Sequence, residues 1–106
     1  MAKRKISTFG EYIRQLRENA GLPLRKVAAQ LDIDPSILGK IERNDRQPSK
    51  EQIKKLAVIF DQDENYLLSE YLSDQIAYKV LEEESNFDIL KVAEKKVAYL
   101  KTKKNG

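Results

Sequence analysis

Apolar positions recur along this chain at helical spacing almost from end to end. Ile13, Leu16 and Ala20 follow one another at steps of three and four. That stretch opens on Thr-Phe-Gly-Glu, a capping box in which Thr8 caps the first turn and Glu11 reaches back to it. Gly21 suits the left-handed position that ends such a helix. A second helix is predicted from about Leu24 to Leu31 behind Pro23, with Val27, Ala28 and Leu31 facing inward. A third follows Asp34, whose carboxylate stands at the N-cap with Pro35 at the first helical position, and it offers Leu38 and Ile41 to a core. After Arg-Asn-Asp-Arg-Gln-Pro, Ser49 begins a second capping box, Ser-Lys-Glu-Gln. Ile53, Leu56, Ala57 and Phe60 form the apolar face of the fourth helix.

A fifth helix starts at Asp63. No breaker interrupts the chain from Glu64 to Glu84, so this is one long helix or two joined near Ser69, with Leu68, Tyr71, Leu72, Ile76 and Val80 on one broad face. The pattern restarts at Ser85 or Asn86, and the last helix carries Leu90, Ala93, Val97 and Leu100 at the 3–4–3 spacing of a short coiled-coil seam. Alternating β-branched runs and internal repeats are absent. The expectation is an all-α protein in three parts: a basic N-terminal arm (1–7), a five-helix domain (8–69) and a C-terminal helical extension (70–106) whose basic end frays.

Composition narrows the chemistry. The 106 residues include no cysteine and no histidine, which leaves no thiolate nucleophile, no disulfide framework and no imidazole to act as base or metal ligand. No Gly-rich phosphate loop appears, and Asp32/Asp34 and Asp61/Asp63 sit in turns and caps, where carboxylates satisfy backbone amides. An enzyme is therefore disfavoured, and no metal, cofactor or small-molecule ligand is indicated. The basic N-terminus has no apolar run of signal-peptide type, and no apolar stretch is long enough to span a bilayer, so a soluble cytoplasmic protein is expected.

The net charge of +3 hides an asymmetry. Residues 1–60 hold 13 Lys/Arg against 7 Asp/Glu, a balance of +6. Residues 61–90 hold one lysine against nine acids, and residues 91–106 hold six lysines against Glu94, balances of −8 and +5. A basic first half suits a polyanion, although charged helical surfaces also vary in sign without function.

Two short helices joined by the Asp32-Ile33-Asp34 turn have the layout of a helix-turn-helix. The run IRQLRENAGLPLRKVAAQLDIDPSILGKIERNDRQPS closely resembles the Cro/Xre-type family of phage repressors and bacterial regulators, with similarity covering about residues 9–69. That resemblance implies a five-helix repressor-like fold, double-stranded DNA as partner, and a regulator that binds a (pseudo)palindromic operator as a homodimer. It implies base contacts from Pro35, Ser36, Gly39 and Lys40, with Ile37 beside them or packed on the following loop or a neighbouring subunit. Phosphate contacts would come from Arg25, Lys26, Arg43, Arg46 and Gln47, each of which could equally be solvated charge or polar surface. Arg17 and Glu42 match a structural ion pair of the family. Gly39 admits two explanations, close approach of DNA or close packing on the second helix. One departure is plain: family members often carry a polar N-cap and a glutamine at the start of the second helix, and here those places hold Pro23 and Leu24. Arg25 or the N-terminal Lys-Arg-Lys would have to replace that phosphate clamp.

The extension is expected to dimerise through Leu90, Ala93, Val97 and Leu100, unless it folds back on its own core. The alternative function is a protein-interaction module, an antitoxin or accessory subunit whose helix-turn-helix holds a protein partner. Salt dependence separates the two, since phosphate neutralisation makes DNA affinity fall steeply with salt.

Overall fold

The computed structural model describes residues 6–83 and 88–105. Among them are six α-helices and no strand: α1 Phe9–Asn19, α2 Leu24–Gln30, α3 Pro35–Glu42, α4 Lys50–Ile59, α5 Glu64–Glu83 and α6 Ile89–Asn105. The all-α architecture agrees with the periodicity. Of the two readings of the fifth helix, one long helix or two joined near Ser69, the first holds: α5 runs unbroken to Glu83. Ser73, in its interior, bonds back to the Glu70 carbonyl (2.9 Å) without breaking the helix. The predicted restart at Ser85 or Asn86 lies outside the described residues; α6 begins after Asp88, whose Oδ1 accepts the Lys91 N–H (3.1 Å).

Local chemistry accounts for the helix starts. Thr8 accepts the Glu11 N–H while Glu11 accepts the Thr8 N–H (2.9 Å), and Ser49 and Gln52 form the same reciprocal pair. Asp34 accepts the Ser36 N–H, and Asp63 accepts that of Tyr66. The helix ends share one device. Gly21, Asp32, Asn44 and Asp61 all take positive φ (68°, 58°, 65° and 51°), each just beyond α1, α2, α3 and α4. After each, an amide reaches five residues back: Leu22 to Arg17, Ile33 to Ala28, Asp45 to Lys40 and Gln62 to Ala57. Four successive Schellman stops let four short helices turn within a few residues. Asn and Asp tolerate the left-handed conformation better than other residues with a Cβ, so three of the four stops do without glycine.

The chain divides into two compact units, the first ending at Asp74 and the second beginning at Gln75. The first unit therefore includes Tyr71 and Asp74, past the expected boundary at 69. Its core is Phe9, Tyr12, Ile13, Val27, Ala28, Leu31, Leu38, Ile41, Ile53, Leu56, Ala57 and Leu67. Burying a leucine, isoleucine or valine fully is worth about 1.5–3 kcal/mol, so this cluster supplies most of the unit's cohesion. The buried face of α1 is centred on Phe9, Tyr12 and Ile13; Leu16 is only partly covered and Ala20, the C-cap, is exposed. On α5 the fully buried residue is Leu67, with Leu68 and Tyr71 partly buried and Leu72 exposed. Two edge-to-face aromatic pairs, Phe9–Tyr71 (5.7 Å) and Tyr12–Tyr66 (6.3 Å), hold α5 against α1.

The second unit comprises residues from Gln75 of α5 onward and α6. None of its described residues is buried. Ile76, Leu90, Val97 and Leu100 are each more than half exposed, and Ile76, Val80, Ile89, Leu90 and Ala93 line an open groove of about 430 Å³.

Candidate nucleic-acid interface

The helix-turn-helix is formed by α2 and α3. The Schellman stop at Asp32 ends α2, and Asp34 starts α3 two residues later. Leu38 and Ile41 enter the core, with 0% and 1% exposure, while Pro35, Ser36 and Lys40 face outward. A helix so backed presents a short polar surface that fits a major groove about 12 Å wide. Ile37 is half-buried against the core. Gly39 differs from its outward-facing neighbours in being buried, between Leu24 of α2 and the Arg43 side chain. A Cβ added there would meet Leu24 at an ordinary 3.7 Å and the end of the flexible Arg43 side chain at 3.3 Å. Packing on α2 therefore does not demand glycine.

Two contacts fasten α3 to α1. Arg17 holds Glu42 with both prongs of its guanidinium, Nε to Oε2 at 2.7 Å and Nη2 to Oε1 at 3.1 Å, while Nη1 donates to the Leu22 carbonyl at 2.9 Å. The side chains are only 14% and 5% exposed. The hydrogen bonds from Arg17 satisfy the buried carboxylate, and Glu42 in turn raises the Arg17 pKa above its ordinary value. The second contact is backbone. Gly10 lies against the end of α3, where a Cβ would fall 2.6 Å from the Glu42 carbonyl and from Asn44 Oδ1, and closer still to the Ile41 carbonyl.

Asn44 completes this joint from the loop after α3. Its Oδ1 accepts the Gly10 N–H (3.2 Å) and its Nδ2 donates to Thr8 Oγ1 (2.8 Å). Sequence reasoning missed both Asn44 and Gly10. A glycine inside a capping box that no turn requires was the available signal. Thr8 and Glu11 hold each other as well, and the bond from the Thr8 N–H lowers the Glu11 pKa. From α5, Asp74 Oδ2 accepts the Phe9 N–H (2.8 Å), a second carboxylate on the first turn of α1. Burial raises the Asp74 pKa, the Phe9 bond opposes that, and Glu70 and Glu11 add repulsion.

The cations proposed for phosphate line both ends of the motif. Arg25 and Lys26 are exposed on the first turn of α2. Pro23 caps that helix with no side-chain hydrogen bond. The Lys-Arg-Lys suggested as a substitute, like most of the 1–7 arm, lies outside the described residues. Arg43 stands at the C-cap of α3 and pairs loosely with Asp45 (3.5 Å), and Arg46 and Gln47 are exposed in the loop. Leu90, Ala93, Val97 and Leu100 are all exposed on α6. Among the described residues no acidic cluster is placed to hold a metal ion, and no helix is long and apolar enough to cross a membrane.

The helix-turn-helix domain family matches residues 10–73. The restriction-modification controller protein C.AhdI from Aeromonas hydrophila is 36% identical over 56% of this chain and 89% of its own, with a TM-score of 0.52. SinR, a master regulator for biofilm formation solved in complex with DNA, is 31% identical over 57% of this chain and 98% of its own, also at 0.52; the protein is from Bacillus subtilis. A complex of SinR with SinI covers 93% of this chain and 100% of its own at 24% identity and a TM-score of 0.53, a likeness of fold. No curated protein matches the chain.

Proposed function

Because this chain belongs to the helix-turn-helix domain family, with the Cro/Xre-type frame in its first unit, we propose that it is a sequence-specific DNA-binding transcriptional regulator. In this reading it is a cytoplasmic, repressor-like homodimer on a (pseudo)palindromic operator. The observation that carries it is the exposure pattern of α3, with Pro35, Ser36 and Lys40 outward from a helix whose other face is buried and pinned by Arg17. Lys40 donates to guanine O6 or N7, Ser36 contacts a base without discriminating, and the exposed edge of Ile37 reaches a thymine methyl. Arg25, Lys26, Arg43, Arg46 and Gln47 grip the backbone on either side. A single module makes few base contacts, so two copies on two half-sites supply affinity and site length together. The second unit suits that pairing: a second copy would cover Leu90, Ala93, Val97 and Leu100, which this chain leaves in water.

A second reading, a module that holds a protein partner, is favoured by one observation: α2 begins at Pro23 with no side-chain cap to serve as a phosphate ligand. Selection of duplexes from a random pool, followed by titration at two salt concentrations, decides between them. The regulator reading expects an inverted repeat with half-site centres about 10–10.5 bp apart or a multiple of that. It also expects a K40A variant to bind the selected site about five- to a hundredfold more weakly. Absence of any enriched sequence, with weak binding to all duplexes, would favour the protein partner.

A further inference from the structure

We propose that Tyr71, on α5, is a positioning residue for DNA binding that acts through Gln47. The inference rests on the DNA-binding reading above and adds to it an element outside the helix-turn-helix. Tyr71 Oη donates to Gln47 Oε1 at 3.1 Å, a contact between residues 24 apart in sequence. The tyrosine is itself held. Its ring packs edge-on against Phe9 at 5.7 Å and 78°, Phe9 is buried, and the Phe9 amide is bonded to Asp74 one turn further along α5. The hydroxyl is thus presented from a fixed point.

The chemistry of the amide makes this contact consequential. Phosphate oxygens only accept hydrogen bonds, so a glutamine meets the DNA backbone through its Nε2 and never through its Oε1. By bonding Oε1, the Tyr71 hydroxyl holds the oxygen end of the amide toward α5. Asn44, three residues earlier, is secured to Thr8 and Gly10 of α1. The loop after α3 is therefore pinned at two points, by α1 through Asn44 and by α5 through Gln47.

The test is a double-mutant cycle on the full chain with Y71F, Q47A and Y71F/Q47A, read by fluorescence anisotropy on the selected duplex and on an unrelated duplex across a salt series. Phenylalanine keeps the ring contact with Phe9 and removes only the donor. One hydrogen bond corresponds to roughly three- to tenfold in affinity. Y71F is expected to lose that factor equally on both duplexes, with an unchanged salt slope, since a neutral amide displaces no counterion. Added to Q47A, it should cost nothing more. Unchanged binding by Y71F, or a further loss when it is added to Q47A, overturns the positioning role alone. A wild-type chain that retains no duplex overturns the DNA-binding reading and this inference with it.

Discussion

Replacing Gly10 by alanine tests whether α3 is set in place by close approach to α1. The added Cβ would lie 2.6 Å from two oxygens, the Glu42 carbonyl and Asn44 Oδ1, and nearer still to the Ile41 carbonyl. Two of these are backbone atoms at the end of a packed helix, so no rotamer change relieves the contact. Either α1 lifts from α3 or the end of α3 shifts. Overpacking of this kind costs about 1–3 kcal/mol. Displacing Asn44 weakens its bond to the Gly10 amide, about 0.5–1.5 kcal/mol more. Alanine's better helix propensity returns up to about 1 kcal/mol. The balance is a loss near 2 kcal/mol. At about 4–8 °C per kcal/mol for a domain of this size, the melting temperature should fall by about 8–16 °C. Thermal denaturation of the full chain, followed by the near-UV signal of its tyrosines, measures this directly. A G10A protein that melts at or above the wild-type temperature would refute the argument, because α1 and α3 would then separate without cost.

Gly39 supplies the contrast. Its Cβ would meet only Leu24 at 3.7 Å and a movable Arg43 tip, so G39A should leave stability unchanged or raise it by up to about 1 kcal/mol in the same melt. Glu42 is buried and Arg17 partly so, and E42A would strand the guanidinium, at a cost of up to about 3–5 kcal/mol. R17M/E42L should then be more stable than E42A in urea denaturation; equal or lower stability would argue against a stranded charge. Asp74 predicts a pH dependence of defined sign. Its folded pKa is raised, chiefly by burial, so its contribution to stability is full below the unfolded value, near pH 4, and is lost as pH rises through the folded value. D74N keeps an acceptor for the Phe9 amide without the charge, so its stability relative to wild type should rise with pH from about 4 to 7. A relative stability that falls over that range would show that the carboxylate is favoured in the folded state.

Short-range features of this protein were legible in the sequence. Both capping boxes, the Asp34 and Pro35 start of α3 and the Gly21 stop involve residues within a few positions of one another, and their chemistry operates in any context. Leu38 and Ile41 were legible for the same reason, since a helix eight residues long has only one face to bury. Periodicity was less decisive on α5, where apolar side chains lie on several faces and register is set by what packs there. Leu67 took the core position, and Leu72 was left in solvent. It also could not locate the end of the first unit. Tyr71 and Asp74 belong to that unit through contacts with Phe9, 62 and 65 positions away, while the helix that carries them continues unbroken.

The joint around α3 was decided by tertiary structure alone. Gly10, Asn44, Tyr71 and Gln47 are individually ordinary residues, and nothing in their spacing marks them as partners. They meet because α1 and α5 converge on the loop after α3, and hydrogen bonds of this kind depend on tenths of an ångström that only the packed core sets. The sequence by itself determined the capped starts of α1, α3 and α4, the Gly21 stop and the apolar faces of α2, α3 and α4, because those follow from backbone amides and from burial summed over each helix. The tertiary structure decided which faces meet and how closely, because contacts between distant segments exist only once the chain has closed around its core.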